Sequence, residues 1–107
     1  MAHYLLQASY ATGAAKAMVA NPQNREDAAR KVIESMGGKL RSFHFALGEF
    51  DVVMIAEFPD SIAAASVALA TGASGALSKF QTTALMTASE GMEAMRKAKS
   101  ASYSPPA

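Results

Sequence analysis

Two strand-like runs, Lys39 to Leu47 and Val52 to Phe58, flank the tetrapeptide Gly48-Glu49-Phe50-Asp51. So short a glycine-containing connection predicts an antiparallel hairpin. The second run reads Val52-Val53-Met54-Ile55-Ala56, apolar at every position, as in a strand covered on both faces. That one stretch demands a sheet with something packed on each side. A three-residue loop would set Arg41 opposite Glu57, Phe43 opposite Ile55 and His44 opposite Met54, and this register is expected for the complementary charges it pairs.

Upstream, Tyr4, Leu6, Ala8 and Tyr10 alternate with Leu5, Gln7 and Ser9, the two-residue period of a first strand over residues 4–10. Thr12 is expected to cap a short alanine-rich turn through Val19, and Asn21 to cap a second segment that begins at Pro22. Apolar residues at positions 28, 29, 32, 33 and 36 then make one helical stripe, with Glu26 to Arg30 and Asp27 to Lys31 as acid-first pairs four apart. Gly37-Gly38 ends it, since glycine takes the left-handed C-terminal position without a clash.

Downstream, Pro59-Asp60 opens a helix that carries no charge from Ser61 to Ser78 and is expected to close at Gly72. A helix with no polar face calls for cover on its outer side, either from the last helix or from another subunit. Lys79 to Thr87 reads as the fourth strand. Thr87 or Ser89 can cap a final helix in which Met92 and Met95 share a face, a stripe that suits core or interface packing. The tail 100–107, with Pro105-Pro106, is expected to be disordered beyond a domain of residues 1–99.

The order strand, helix, strand, strand, helix, strand, helix predicts an α+β fold: a ferredoxin-like split βαβ sandwich with a four-stranded antiparallel sheet and an extra C-terminal helix. Two helices cover one face of such a sheet. The other face must be wet or paired, and an apolar third strand favours pairing, so a sheet-to-sheet homodimer with Met54 in its seam is expected. In a chain of 107 residues, 18% charged residues fall below the roughly 25% of an average domain, which fits a surface partly covered by another chain.

A net charge of +1 supplies no field to gather nucleic acid or an anionic membrane. The absence of cysteine removes disulfides, thiolate catalysis and Cys-ligated metals. No signal peptide and no spanning segment is legible, so a cytoplasmic chain is expected. No phosphate-cradling glycine loop or nucleophile elbow occurs, and no cofactor is expected.

The run Gly37-Gly38-Lys39-Leu40 followed by Leu47-Gly48-Glu49-Phe50-Asp51-Val52-Val53 resembles the GYD-domain family, whose Gly-x-Tyr/Phe-Asp element stands here as Gly48, Phe50 and Asp51. The Pro59-Asp60 helix start, the alanine-rich helix and Thr82-Thr83 extend the likeness over roughly Tyr4 to Thr87. The resemblance implies the dimeric α/β-barrel superfamily, in which two ferredoxin-like sheets face each other. It also implies kinship with cofactor-free monooxygenases and isomerases and with amino-acid-binding domains of bacterial regulators. Phe50 in place of tyrosine removes any role for that hydroxyl. The family supplies a fold and little chemistry.

His44 is the candidate catalytic residue, because an imidazole can serve as general acid or base and here lies in mid-strand. Its competing role is a hydrogen-bonded member of a pocket wall or dimer seam. Tyr4, Gln7, Tyr10, Asp51 and Thr82 are candidate ligand-binding residues that could line one cavity with His44. Gly48, Phe50 and Asp51 are also read as the structural turn, with Gly48 at positive φ and Asp51 accepting backbone N–H groups. His3 and His44 lack zinc-site spacing, so no metal is expected.

Two functions follow from these residues. The first is a homo-oligomeric module that binds a small organic molecule without cofactor. The alternative is a cofactor-free enzyme of the monooxygenase or isomerase type, in which His44 moves a proton.

Overall fold

The computed structural model describes residues 1–107. Its elements run β1 (Ala2–Tyr10), α1 (Thr12–Ala20), α2 (Arg25–Ser35), β2 (Lys39–Phe45), β3 (Val52–Phe58), α3 (Ser61–Ala73), β4 (Leu77–Leu85) and α4 (Ala88–Lys99). The four strands make one antiparallel sheet in the order β2-β3-β1-β4. This is the ferredoxin-like arrangement, with the two most apolar strands in the centre.

The hairpin forms, but in another register. Phe43 lies opposite Met54, His44 opposite Val53 and Phe45 opposite Val52, while Lys39 rather than Arg41 lies opposite Glu57. The ladder shifts by one residue between Leu40 and Ser42, where Arg41 stands as the extra residue of a bulge. Arg41 still meets Glu57 through its side chain. Met54 consequently points at the helices and is buried, not set in the outer seam expected for it.

Alternation then sorts the sheet into two faces. Tyr4, Leu6, Val52, Ala56 and Phe58 join Ile33 of α2 and Ala64 and Val67 of α3 in one buried cluster. The Tyr4 and Phe58 rings meet edge to face at 5.6 Å. The opposite face carries Leu5 beside Ile55 and Gln7 beside Val53, all half-buried, with no helix over them.

Helix boundaries follow from caps. Asn24, not Asn21, caps α2 by accepting the Glu26 N–H, because α2 begins at Arg25 and Asn21 instead ends α1, its N–H donating to the Ala17 carbonyl. Thr12 is the first residue of α1 and no side chain caps that helix. Glu26 pairs with Arg30 at 2.7 Å, whereas Asp27 and Lys31 form no ion pair. Gly37 takes the left-handed conformation, φ +79°, and a Cβ on Gly38 would lie 2.7 Å from the Glu57 carbonyl oxygen, so this corner brings α2 hard against β3.

Asp60 caps α3 through the Ala63 N–H, and α3 runs past Gly72 to Ala73, with Gly75 rather than Gly72 at positive φ. A full capping box of Thr87 and Glu90 starts α4. That helix buries no residue and does not cover α3: Met95 is 72% exposed and, on α3, Ile62 is 78% exposed. Residues 100–107 form no helix or strand.

Candidate functional site

Between the helix layer and the sheet lies a cavity of about 200 Å³. Its floor is Leu6, Ala8 and Tyr10 of β1 with Met54 of β3, and its roof is α2 on one side and α3 on the other. Ala28 and Ala29 of α2 and Ala76 before β4 explain why there is room. Where two layers meet through alanines rather than leucines, the side chains stop short of each other and the gap stays open. Of 17 lining residues, 14 are hydrophobic, so the walls offer shape and dispersion more than polar recognition.

The polar part of the lining is small. Thr71 Oγ1 donates back to the Val67 and Ala68 carbonyls, and Ser74 Oγ donates to the Thr71 carbonyl. Both hydroxyls therefore serve the end of α3. Arg25, the first residue of α2, is the one charged lining residue. Its Nη1 donates to Gln23 Oε1 at 2.8 Å, and its Nε is buried with no partner. A buried donor left unpaired costs on the order of 1–3 kcal/mol, more where the group is charged.

Among the residues singled out in the sequence, Tyr10 lines this cavity and its hydroxyl makes no hydrogen bond, while its backbone N–H is held by Asp51 Oδ2 at 2.9 Å. Tyr4 sits deeper in the same layer, its hydroxyl 3.2 Å from Ser61 Oγ. Thr82 faces the helix side opposite Leu6 but is exposed. His44 and Gln7 occupy the other face of the sheet, with His44 exposed on the edge strand. The single cavity expected to gather all of them is thus divided by the sheet itself.

Around the hairpin, the loop is folded back over the end of β1. The Asp51 N–H donates to the Ala8 carbonyl, Ser9 Oγ donates to the Glu49 carbonyl, and Lys79 reaches both Glu49, at 3.3 Å, and the Phe50 ring, 4.8 Å from its centroid. Gly48 has no positive φ, contrary to expectation, and a Cβ there would meet nothing within 4 Å. The loop is shaped by Asp51 and Phe50 instead.

On the open face, Glu57 is 8% exposed and held between Arg41 and His3, the latter at 3.8 Å. The hydrogen bond from Arg41, with the charges of Arg41 and His3, lowers the Glu57 pKa against the opposing effect of burial. No group of three or more His, Cys, Asp or Glu residues is placed to hold a metal ion. No helix is long and apolar enough to cross a membrane. Arg25 is the lining residue that sequence reasoning missed. The signal available was the alanine pair Ala28-Ala29 that follows it, small residues on a face that must meet a sheet.

The GYD domain model matches residues 4–95, the sheet and nearly all of the helices. In three dimensions the chain is similar to the crystal structure of MtbAldR, with a TM-score of 0.52 and 12% identity, over 80% of this chain and 52% of that one. The chain spans about half the length of that protein, and the likeness is one of fold. No curated protein matches the sequence.

Proposed function

This chain belongs to the GYD-domain family, and we propose that it is a cofactor-free, homo-oligomeric module that binds a small organic molecule between its sheet and helices α2 and α3. The cavity carries this reading: an apolar, partly open space of about 200 Å³ between the sheet and its helices. The space stays open because the facing side chains are too small to fill it, several of them being alanines. A volume below the roughly 300–1,000 Å³ of drug-sized sites restricts the occupant to one ring with a short side chain, or its equivalent.

The homo-oligomer rests on the uncovered face. Leu5, Val53 and Ile55 form its apolar centre, and a second sheet laid against it would bury them together with His44. The accessible surface of 7283 Å² exceeds by about 1,600 Å² what a compact monomer of this mass exposes, the tail contributing part of it. Ile62 and Leu69, on the outer side of α3, lie across the sheet from that face and would need a separate contact for cover. The site of action is taken to be the cytoplasm, where a chain without cysteine forgoes nothing.

Binding rather than turnover is the function the geometry supports best, because the cavity wall holds no carboxylate and no imidazole. Ala29→Phe tests it by filling the cavity. Thermal-shift titration with 3-phenylpropanol should raise the melting temperature of the wild type and leave the variant unmoved, while the unliganded variant melts no lower than about 5 °C below wild type. Equal shifts in both proteins would place the ligand elsewhere.

A further inference from the structure

Helix α4 is complete in itself and packs on nothing. Thr87 and Glu90 close its first turn and Arg96, Lys97 and Lys99 stand in its last, yet it buries no residue. Of its 12 residues, all but Gly91 are exposed. A lone helix of this length is marginal in water, since most helical stability in proteins comes from packing an apolar face. Such a face is present: Ala88, Gly91, Met92, Met95 and Ala98 recur at the three- and four-residue spacing of one stripe, with Ser89, Glu90, Glu93, Arg96 and Lys97 around the rest of the surface. The stripe by itself does not say what covers it. The charges do.

Both acids of α4, Glu90 and Glu93, lie in its first half and all three bases in its second, whereas α2, which packs on the sheet, mixes both signs from Arg25 to Glu34. Two copies of α4 laid antiparallel therefore set acidic half against basic half, and a parallel pair would set like against like. The positions match as well. About the midpoint between Glu93 and Ala94, Met92 stands opposite Met95 of a second copy and Glu90 opposite its Lys97, so one register suits the apolar and the charged residues together. Lys97 forms no ion pair within its own chain. A surface that is its own complement under a two-fold axis is what a contact between identical patches of identical chains requires.

We infer that α4 pairs antiparallel with α4 of a second copy of this chain, Met92 of one packing on Met95 of the other. A helix about 18 Å long and about 10 Å across covers far less than the roughly 1,200 Å² of a stable interface. The pairing therefore rests on the homo-oligomer proposed above and adds to it.

The chain has no cysteine, so single cysteines report on this contact without background. Both methionines are exposed within the chain, Met92 by 48% and Met95 by 72%, and replacing them leaves the fold intact. Full-length Met92→Cys and Met95→Cys, one of them carrying a mass tag, are mixed and oxidised, and the linked products separated by mass. The mixed product should outrun either self-linked product by about threefold or more, and by about tenfold the product of Met92→Cys with Ser89→Cys, because a disulfide tolerates little displacement of the two Cα atoms. Adding Lys97→Glu to both chains, which places acid against Glu90, should slow the mixed product about two- to fivefold, and an unchanged rate would contradict the pairing of Glu90 with Lys97. Self-linked products in excess of the mixed one would overturn the antiparallel arrangement. A mixed product no faster than the Ser89 control, in a chain that light scattering shows to be oligomeric, would overturn the inference and leave the homo-oligomer standing. A monomeric wild type would overturn both.

Discussion

The face of the sheet that carries Tyr4, Leu6, Val52 and Phe58 is finished within one chain, whereas the face that carries Leu5, Val53, Ile55 and His44 is bare. The same sheet builds both, with alternate residues of each strand going to each side. On the covered side, α2 and α3 supply Ile33, Ala64 and Val67, and a gap between the layers remains because several of the facing residues are alanines. On the bare side the apolar residues sit among Gln7, Ser42 and an ion pair rather than in a continuous greasy patch. The contrast underlies the two proposed roles: a small molecule is assigned to the gap on the covered face and a second copy of the chain to the mixed surface of the bare one.

The comparison can be broken most forcefully at Phe58, which is fully buried. Phe58→Ala should cost about 3–5 kcal/mol. For a domain of this length that lowers the melting temperature by more than about 10 °C. Ile55→Ala, a truncation of similar kind on the other face, should cost well under half as much in the isolated chain. Comparable losses at protein concentrations where the chain is monomeric would mean that the two faces are equally buried and that the distinction is wrong.

A smaller effect on stability and a larger one on assembly is expected from Ile55→Lys. Light scattering on the wild type should give about twice 11.1 kDa, or a multiple of it. The lysine variant should fall to the single-chain mass, because a charge without a partner is costly to bury in a seam. A wild type that stays monomeric at micromolar concentration, or a variant that keeps the wild-type mass, would remove the second sheet from the account.

Much of this contrast is legible in the residues. The alternation of β1, the Asp60 cap, the Gly37 corner and the doubly apolar β3 each follow from local chemistry. The register of the hairpin does not, because a bulge at Arg41 adds a residue without disturbing the alternation pattern by which a register is read. It displaced Met54 from one face to the other in the sequence-based expectation. Arg41 and Glu57 meet as their charges suggest, yet by a different route. The resting place of α4 is equally illegible: its Met92 and Met95 stripe signals a need for cover and does not say what supplies it. The 17.1 Å radius of gyration, against about 13 Å for a compact domain of this length, records how far that helix and the tail after it stand off. The cavity escapes notice for a further reason. Its lining comes from every strand and two helices, and what defines it is volume that side chains fail to fill.

Glu57 offers the gentlest probe of the bare face. Its pKa is lowered from the ordinary 4.5, first by the hydrogen bond from Arg41 and then by the charges of Arg41 and His3. A lowered folded-state pKa means stability that is present above about 4.5 and lost as pH falls through the lower folded value. Thermal melts between pH 3 and 6 should therefore show a steeper acid loss for the wild type than for Glu57→Gln, which has no proton to gain. Parallel curves would show that the Arg41 pairing contributes nothing.

Methyl-region NMR with added 3-phenylpropanol sets the two faces against each other in a single experiment. If the covered face holds the ligand, the methyl signals of Ala29, Val32 and Val67 shift progressively with concentration while those of Leu5, Val53 and Ile55 stay in place. Shifts confined to Leu5, Val53 and Ile55 would contradict the assignment of binding to the cavity between the sheet and its helices.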